Sequence, residues 1–267
     1  MVKKVLAGLF AMAVAGYASA GTTTYETQSW NLKSGGSWGS NSLSFTSGTV
    51  GMTVTAWSSS GNTGSCHSGP ECSSSNVSYD RDPFIESAAL KRYTHGLGAI
   101  NNDENNSDPH HALDNYGNSS NWTDYDMVLF EFDTAVELTS VQAGWYRNDS
   151  DVSIVGYTGT DDLGSTPFSS SSKWSDLVDD GWTYQTDKHN IGTNVANISP
   201  GFESKYWLVG VYNSVFSGNA GDNYYDAIKL ANITTTKSEG QTQVPEPATY
   251  ALLLIGVAAI FRRKLSA

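Results

Sequence analysis

Between Asn101 and Asn121 the chain reads NNDENNSDPHHALDNYGNSSN, a run dense in side-chain oxygens. Asn101, Asp103, Asn105 and Ser107 alternate as the ligands of a calcium loop would. An EF-hand loop requires Gly at its sixth position and Glu at its twelfth, where this chain has Asn106 and Ala112. The pattern is therefore not an EF-hand. It leaves a calcium site of another kind, with Asp103, Asp108 and Asp114 as candidate ligands. His110 and His111 are adjacent and point to opposite sides of an extended chain, so they face one ion only across a turn. A second oxygen-rich turn, Asn148 to Asp151, places Asp149 and Asp151 two residues apart. These either hold a cation or cap a hairpin. Calcium is thus the one cofactor the residues suggest.

Cys66 and Cys72 stand in GSCHSGPECS, a turn rich in Gly, Ser and Pro. That spacing permits one disulfide. A metal half-site with His67 lacks a second Cys or His pair at ligand spacing, and the tighter redox motif Cys-x-x-Cys is absent. No Gly-x-Ser-x-Gly elbow, His-Glu-x-x-His helix or Gly-rich phosphate loop followed by Lys occurs. A pair of carboxylates is all a glycosidase needs, and in an acidic chain such pairs are too common to signify. The expectation is a protein that is not an enzyme.

The elements that position these residues read as β. Leu43, Phe45, Val50, Met52, Val54 and Ala56 alternate with polar residues, as half-buried strands of a hairpin do. Phe84 to Tyr93 reads as another strand. Val128, Phe130 and Phe132 share a face over 127–133, Leu138, Val141 and Trp145 over 136–146, and Ile154 lies in a third strand over 152–157. Trp207, Val209 and Val211 mark a buried strand over 206–212, and Ile228, Leu230 and Ile233 the last one over 225–233. Ser172 to Asp180 predicts one short helix, with Ser172 as N-cap and Trp174, Leu177 and Val178 on one face. Many short alternating strands without a 20- to 50-residue repeat predict an all-β fold, a single antiparallel β-sandwich resembling a jelly roll, over residues 21–233. Residues 234–243 read as a linker.

The two ends differ from this body. Lys3 and Lys4, an apolar stretch, and Ala18-Ser19-Ala20, the small-x-small pattern with Ala18 and Ala20 that signal peptidase accepts, form a secretory signal over residues 1–20, removed once the Sec translocon has engaged it. Residues 244–267 read VPEPATYALLLIGVAAIFRRKLSA. Pro245 and Pro247 flank Glu246 and keep the chain extended, an uncharged segment over 248–261 predicts a transmembrane helix, and Arg262, Arg263 and Lys264 stop it. The chain has 15 Lys and Arg against 27 Asp and Glu. Five of those basic residues and one acidic residue belong to the end segments, so the exported part holds ten against 26, near −16. A field of that sign argues against nucleic acid and anionic lipid as partners, and it favours solubility, divalent cations or a cationic partner.

Pro245, Glu246, Pro247, the apolar run and the closing Arg262 and Arg263 resemble the PEP-CTERM sorting tail of Gram-negative bacteria. The resemblance implies a membrane-embedded exosortase as partner, passage through the inner membrane, and release or transfer to the cell surface. ALDNYG, the stretch from Asp126 to Gly159, and SKYWLVGVYN are similar to the body of exosortase-dependent surface proteins, over about Ile85 to Tyr212. That similarity brings no catalytic residues with it. The expected function is an exported surface or extracellular-matrix protein, of the kind that accompanies exopolysaccharide and biofilm. The alternatives are a carbohydrate-binding module, calcium-dependent or not, with Trp57, Trp122, Trp145 or Trp182 stacking on sugars, and a polysaccharide hydrolase.

Overall fold

The computed structural model describes residues 24–35, 38–61, 84–101, 111–115, 125–164, 166–217 and 225–239. The signal segment with Ala18 and Ala20, Cys66 and Cys72 and their disulfide, Asp103, Asp108, Trp122, and the tail with its 248–261 helix all lie outside the described residues. Nearly all of the description belongs to one compact unit, Tyr25–Lys237.

Thirteen strands form in chain order: β1 (Thr24–Asn31), β2 (Trp38–Ser40), β3 (Leu43–Ser47), β4 (Val50–Gly61), β5 (Phe84–Tyr93), β6 (Gly96–Ile100), β7 (Leu113–Asp114), β8 (Asp126–Asn148), β9 (Val152–Tyr157), β10 (Trp182–Lys188), β11 (Val195–Asn197), β12 (Ser204–Val211) and β13 (Asp226–Glu239). The all-β expectation holds. Where two separate facing sheets are expected, the hydrogen bonding is instead continuous and closes on itself along β13, β6, β5, β4 and β8, back to β13. The paired segments are antiparallel, and β12, β9 and β10 extend the sheet outward from β8.

Closure depends on β8. The sequence predicts two strands, over 127–133 and 136–146; the structure joins them into one of 23 residues. Thr134 and Ala135, between the two apolar patterns, include no Gly, Pro or Asn to turn the chain, so it runs on. Up to Val136 the strand pairs with β4 and β12. From Glu137 it pairs with β13, and Ser140 to Gln142 also pair with β11. β5 makes the same change of partner, from β4 to β6 between Ala88 and Ala89.

Alternation then sorts the side chains into two cores. Val54, Phe130, Leu138, Ile154, Val209 and Ile228 belong to the larger one. Met127, Leu129, Val155 and Leu208 point the other way, into a second core sealed by Phe168, Trp174, Leu177 and Trp182. All six residues of β9 are buried, because it has a core on each face.

The segment that seals the second core departs from the expected helix. Only Trp174–Asp176 is helical, as a 3-10 turn, and its N-cap is Lys173 rather than Ser172. Asp176 accepts a hydrogen bond from the Lys173 amide at 3.1 Å, which starts the turn. Trp174 and Leu177 are buried, whereas Val178 is exposed, so the three do not share a face. The predicted linker over 234–243 also differs: β13 continues to Glu239, with Thr234 opposite Ser140 and Thr236 opposite Glu137. A run of β-branched threonines favours a strand, and Thr235 is fully buried. Among the described residues no helix is long and apolar enough to cross a membrane.

Candidate cation site

The turn between β8 and β9 and the first residue of β13 bring three aspartates together. Asn148 ends β8 in the left-handed region, at φ 60°, which turns the chain so that Asp149 bridges both Arg147 and Asp226. Asn is among the few side chains that tolerate this conformation. Carboxylate oxygens of Asp149, Asp151 and Asp226 lie within 4.8 Å of one another. All three residues are at most 4% exposed.

Each carboxylate also holds backbone in place. Asp226 Oδ1 accepts the Asp151 amide at 2.7 Å, and its Oδ2 accepts Asn115 Nδ2 at 3.0 Å. The Asp226 amide donates back to Asn115 Oδ1 at 2.8 Å. Asp151 Oδ1 accepts the Asn190 amide at 2.6 Å, and its Oδ2 lies 2.6 Å from Nδ1 of His189. Asp149 Oδ1 accepts the Ser150 amide at 2.7 Å. The cluster therefore ties together four stretches of chain, around residues 115, 150, 190 and 226.

Its electrostatics are unfavourable without a cation. Burial pushes the Asp226 carboxyl up to about 8, and repulsion from Asp151 and Asp149 adds to the shift against the opposing hydrogen bonds. The hydrogen bond to Asp151 holds the half-exposed His189 imidazole above its ordinary value. Three clustered, buried oxygen donors suit a hard cation such as calcium, which takes six to eight oxygen ligands, better than a softer metal.

The structure thus brings Asp149 and Asp151 together, and Asp149 Oδ1 accepts the next amide within their turn. Asp114 is fully buried but stands apart from the cluster; its amide faces Asp126 Oδ2 at 3.4 Å. Burial lifts the Asp126 carboxyl to about 7, against hydrogen bonds from Ser58, Asn101 and Asp114. Asp226 and His189 escaped the sequence reading because they are 75 and 38 residues from Asp151, where no local spacing relates them.

The tryptophans expected to stack on sugars are mostly packed. Trp182 is 2% exposed in the second core, Trp57 meets Phe168 edge-on at 4.9 Å, and the half-buried Trp145 has Lys229 Nζ over its ring at 4.4 Å. Asp151 and His189 resemble the carboxylate–imidazole part of a hydrolase triad. Among the described residues no serine, threonine or cysteine hydrogen-bonds to the other ring nitrogen.

Fold and site together define an acidic all-β domain with a closed sheet and a cluster of buried carboxylates. The particular feature that identifies the chain lies outside that domain: residues 243–264 match the PEP-CTERM protein-sorting motif, which includes Pro245, Glu246, Pro247, Arg262 and Arg263. The chain thus carries a sorting signal for export by way of the membrane to the cell surface. No curated protein and no solved structure matches it.

Proposed function

We propose that the protein is an exosortase-processed component of the cell surface or extracellular matrix, whose β domain binds calcium at Asp149, Asp151 and Asp226 and acts by binding rather than catalysis. The sorting motif supports the destination. The observation that carries the cation reading is the approach of three buried carboxylates to within 4.8 Å, with one half-exposed histidine beside them. Burying several carboxylates costs several kcal/mol per charge unless they are protonated or paired with a cation, and a divalent ion offsets that cost while keeping the backbone hydrogen bonds. Calcium sites of extracellular modules have Kd values of roughly 0.1–1 mM.

The test is thermal unfolding of the full chain, purified from its native host, in chelator and in 10 mM calcium. Taking Kd as about 0.1 mM, saturation at a hundredfold excess stabilises the native state by about 2.7 kcal/mol. For a domain of this size that is a rise of roughly 5–10 °C in Tm. A Tm that calcium leaves unchanged would sink the cation reading.

A second reading, saccharide binding, is favoured by two adjoining hollows on the far side of the second core. They have volumes of about 530 and 270 Å³ and share Tyr157, Gly159, Thr160 and Asp161, so the loop after β9 forms a ridge between them. The lining of the larger includes Leu163, Asp161, Asp179 and Asp180, with the buried Phe168, Leu177 and Trp182 of the second core behind them.

A further inference from the structure

The path of paired strands ends in two unlike edges. At one end β10 carries a bulge between Tyr184 and Thr186 and closes on Lys188, and both features discourage a further strand from pairing with it. At the other end β1, TYETQSWN, has no Lys, Arg, Pro or Gly. Its partner is β13. The Leu32 amide, one residue past β1, donates to the Ala231 carbonyl at 2.9 Å, and the Thr235 hydroxyl donates to the Gln28 side chain at 3.3 Å. Both contacts fit one antiparallel register, in which the even-numbered residues of β1 bond to β13 and the odd-numbered ones turn amide and carbonyl outward. Asn31 agrees, for its carbonyl accepts Arg92 of β5 at 3.3 Å. Among the described residues nothing hydrogen-bonds to the outward backbone of Tyr25, Thr27 and Ser29, and all three residues are exposed.

We infer that this edge docks a second copy of the chain, β1 against β1, antiparallel about Thr27. The outward groups fix the register. A two-fold axis at Thr27 sets Thr27 opposite Thr27 and Tyr25 opposite Ser29, so each of these residues donates and accepts across the axis. An axis at Ser29 would bring Thr27 against Asn31, whose carbonyl Arg92 already holds, and one at Tyr25 would carry most of the edge past the start of the strand. The axis at Thr27 also places Glu26, the one charged residue of β1, opposite Gln28, so no like charges face each other directly. The five residues Tyr25–Ser29 fall far short of the roughly 20–30 a side in a standard interface, so the contact is weak and reversible. Weak self-pairing becomes effective where copies are held close together, because local concentration then replaces affinity.

The experiment is sedimentation equilibrium of the full chain over a concentration series from micromolar to millimolar, beside three variants. Thr27→Pro removes an outward amide that β13 does not use, a position at which an edge strand tolerates proline. It costs the pair two hydrogen bonds and is expected to weaken self-association about thirtyfold. Thr27→Lys, at an exposed position, sets two ammonium groups opposite each other, so it too weakens association, and less so at high salt. Y25E/S29K puts opposite charges across the axis and keeps or strengthens association. The Tm of Thr27→Lys and of Y25E/S29K stays at the wild-type value, so a lost association is not lost folding. A chain that is monomeric at every concentration overturns the inference. Association that Thr27→Pro and Thr27→Lys leave unchanged overturns it too, since the contact then lies elsewhere. Dissociation of Y25E/S29K to the extent seen with Thr27→Lys overturns the pairing about Thr27. Slow hydrogen exchange of the Tyr25, Thr27 and Ser29 amides in the monomer would mean that the chain covers its own edge, and the inference falls.

Discussion

Asp226 sets the energetics of the acidic cluster, and its behaviour with pH has a definite sign. Its folded carboxyl titrates at about 8, far above an ordinary aspartate, so between those two values the native state holds a proton that the unfolded chain has released. Stability from this group is full at acid pH and lost as pH rises through 8. Asp126, lifted to about 7, has the same sign. His189 is raised by its partner, and its contribution is likewise lost as pH climbs past the ordinary imidazole range. In chelator the Tm is therefore expected to be higher near pH 5 than near pH 9. Calcium competes with protons for the same oxygens, so its stabilising increment grows over that interval. Asp226→Asn keeps the shape of the side chain and removes the charge. It should flatten the alkaline decline in chelator and abolish the calcium increment, both read from Tm against pH. A variant that keeps the full calcium shift would place the ion elsewhere.

At the scale of elements, the second core rests on very little regular structure. Trp174 is fully buried, meets Phe168 at 5.9 Å and Phe216 at 6.1 Å, and is held by a single 3-10 turn. Trp174→Ala removes the largest side chain of that segment and should cost about 3–5 kcal/mol in denaturant unfolding. A loss below 1 kcal/mol would mean that the segment does not seal the core. Gly144 has a different vulnerability. A Cβ there would lie 2.2 Å from the His95 carbonyl oxygen and 2.9 Å from Ala231 Cβ. Gly144→Ala must therefore push the β5–β6 turn off β8, and a loss of about 1–3 kcal/mol is expected by the same measurement. What the sequence discloses follows from this contrast. Val128, Phe130 and Phe132, or Trp207 and Val209, announce their strands because period-two alternation is local. The joining of two apolar patterns into β8 and the continuation of β13 are set by partners far along the chain. The 3-10 turn looks helical in sequence because Trp174 and Leu177 are three residues apart, a spacing that a 3-10 turn and an α-helix both satisfy. Asp149 and Asp151 are legible as an oxygen-rich turn. Their third partner is contributed by the chain's closure, which no spacing encodes.

At the scale of the whole molecule, the charge near −16 of the part between the two end segments and its buried carboxylates belong together with a destination outside the cytoplasm. On the proposed calcium reading, the domain is best placed where calcium is abundant, and the sorting motif at residues 243–264 directs the chain there. The two properties are separable by experiment. The intact mass and cell fraction of the protein are compared in its native host with and without the exosortase. With the enzyme present, a processed C-terminus near Pro245 to Pro247 is expected, in the surface or medium fraction. Without it, the mass retains Arg262 and Arg263 and the protein stays with the inner membrane. The proposed cation site lies in the β domain alone, so the unprocessed form from the second strain should show the same rise in Tm with calcium as the processed form. Processing without the exosortase would refute the sorting route while leaving the calcium site untouched. A calcium response confined to the unprocessed form would instead make the tail part of the site, and the three aspartates would no longer suffice to explain it.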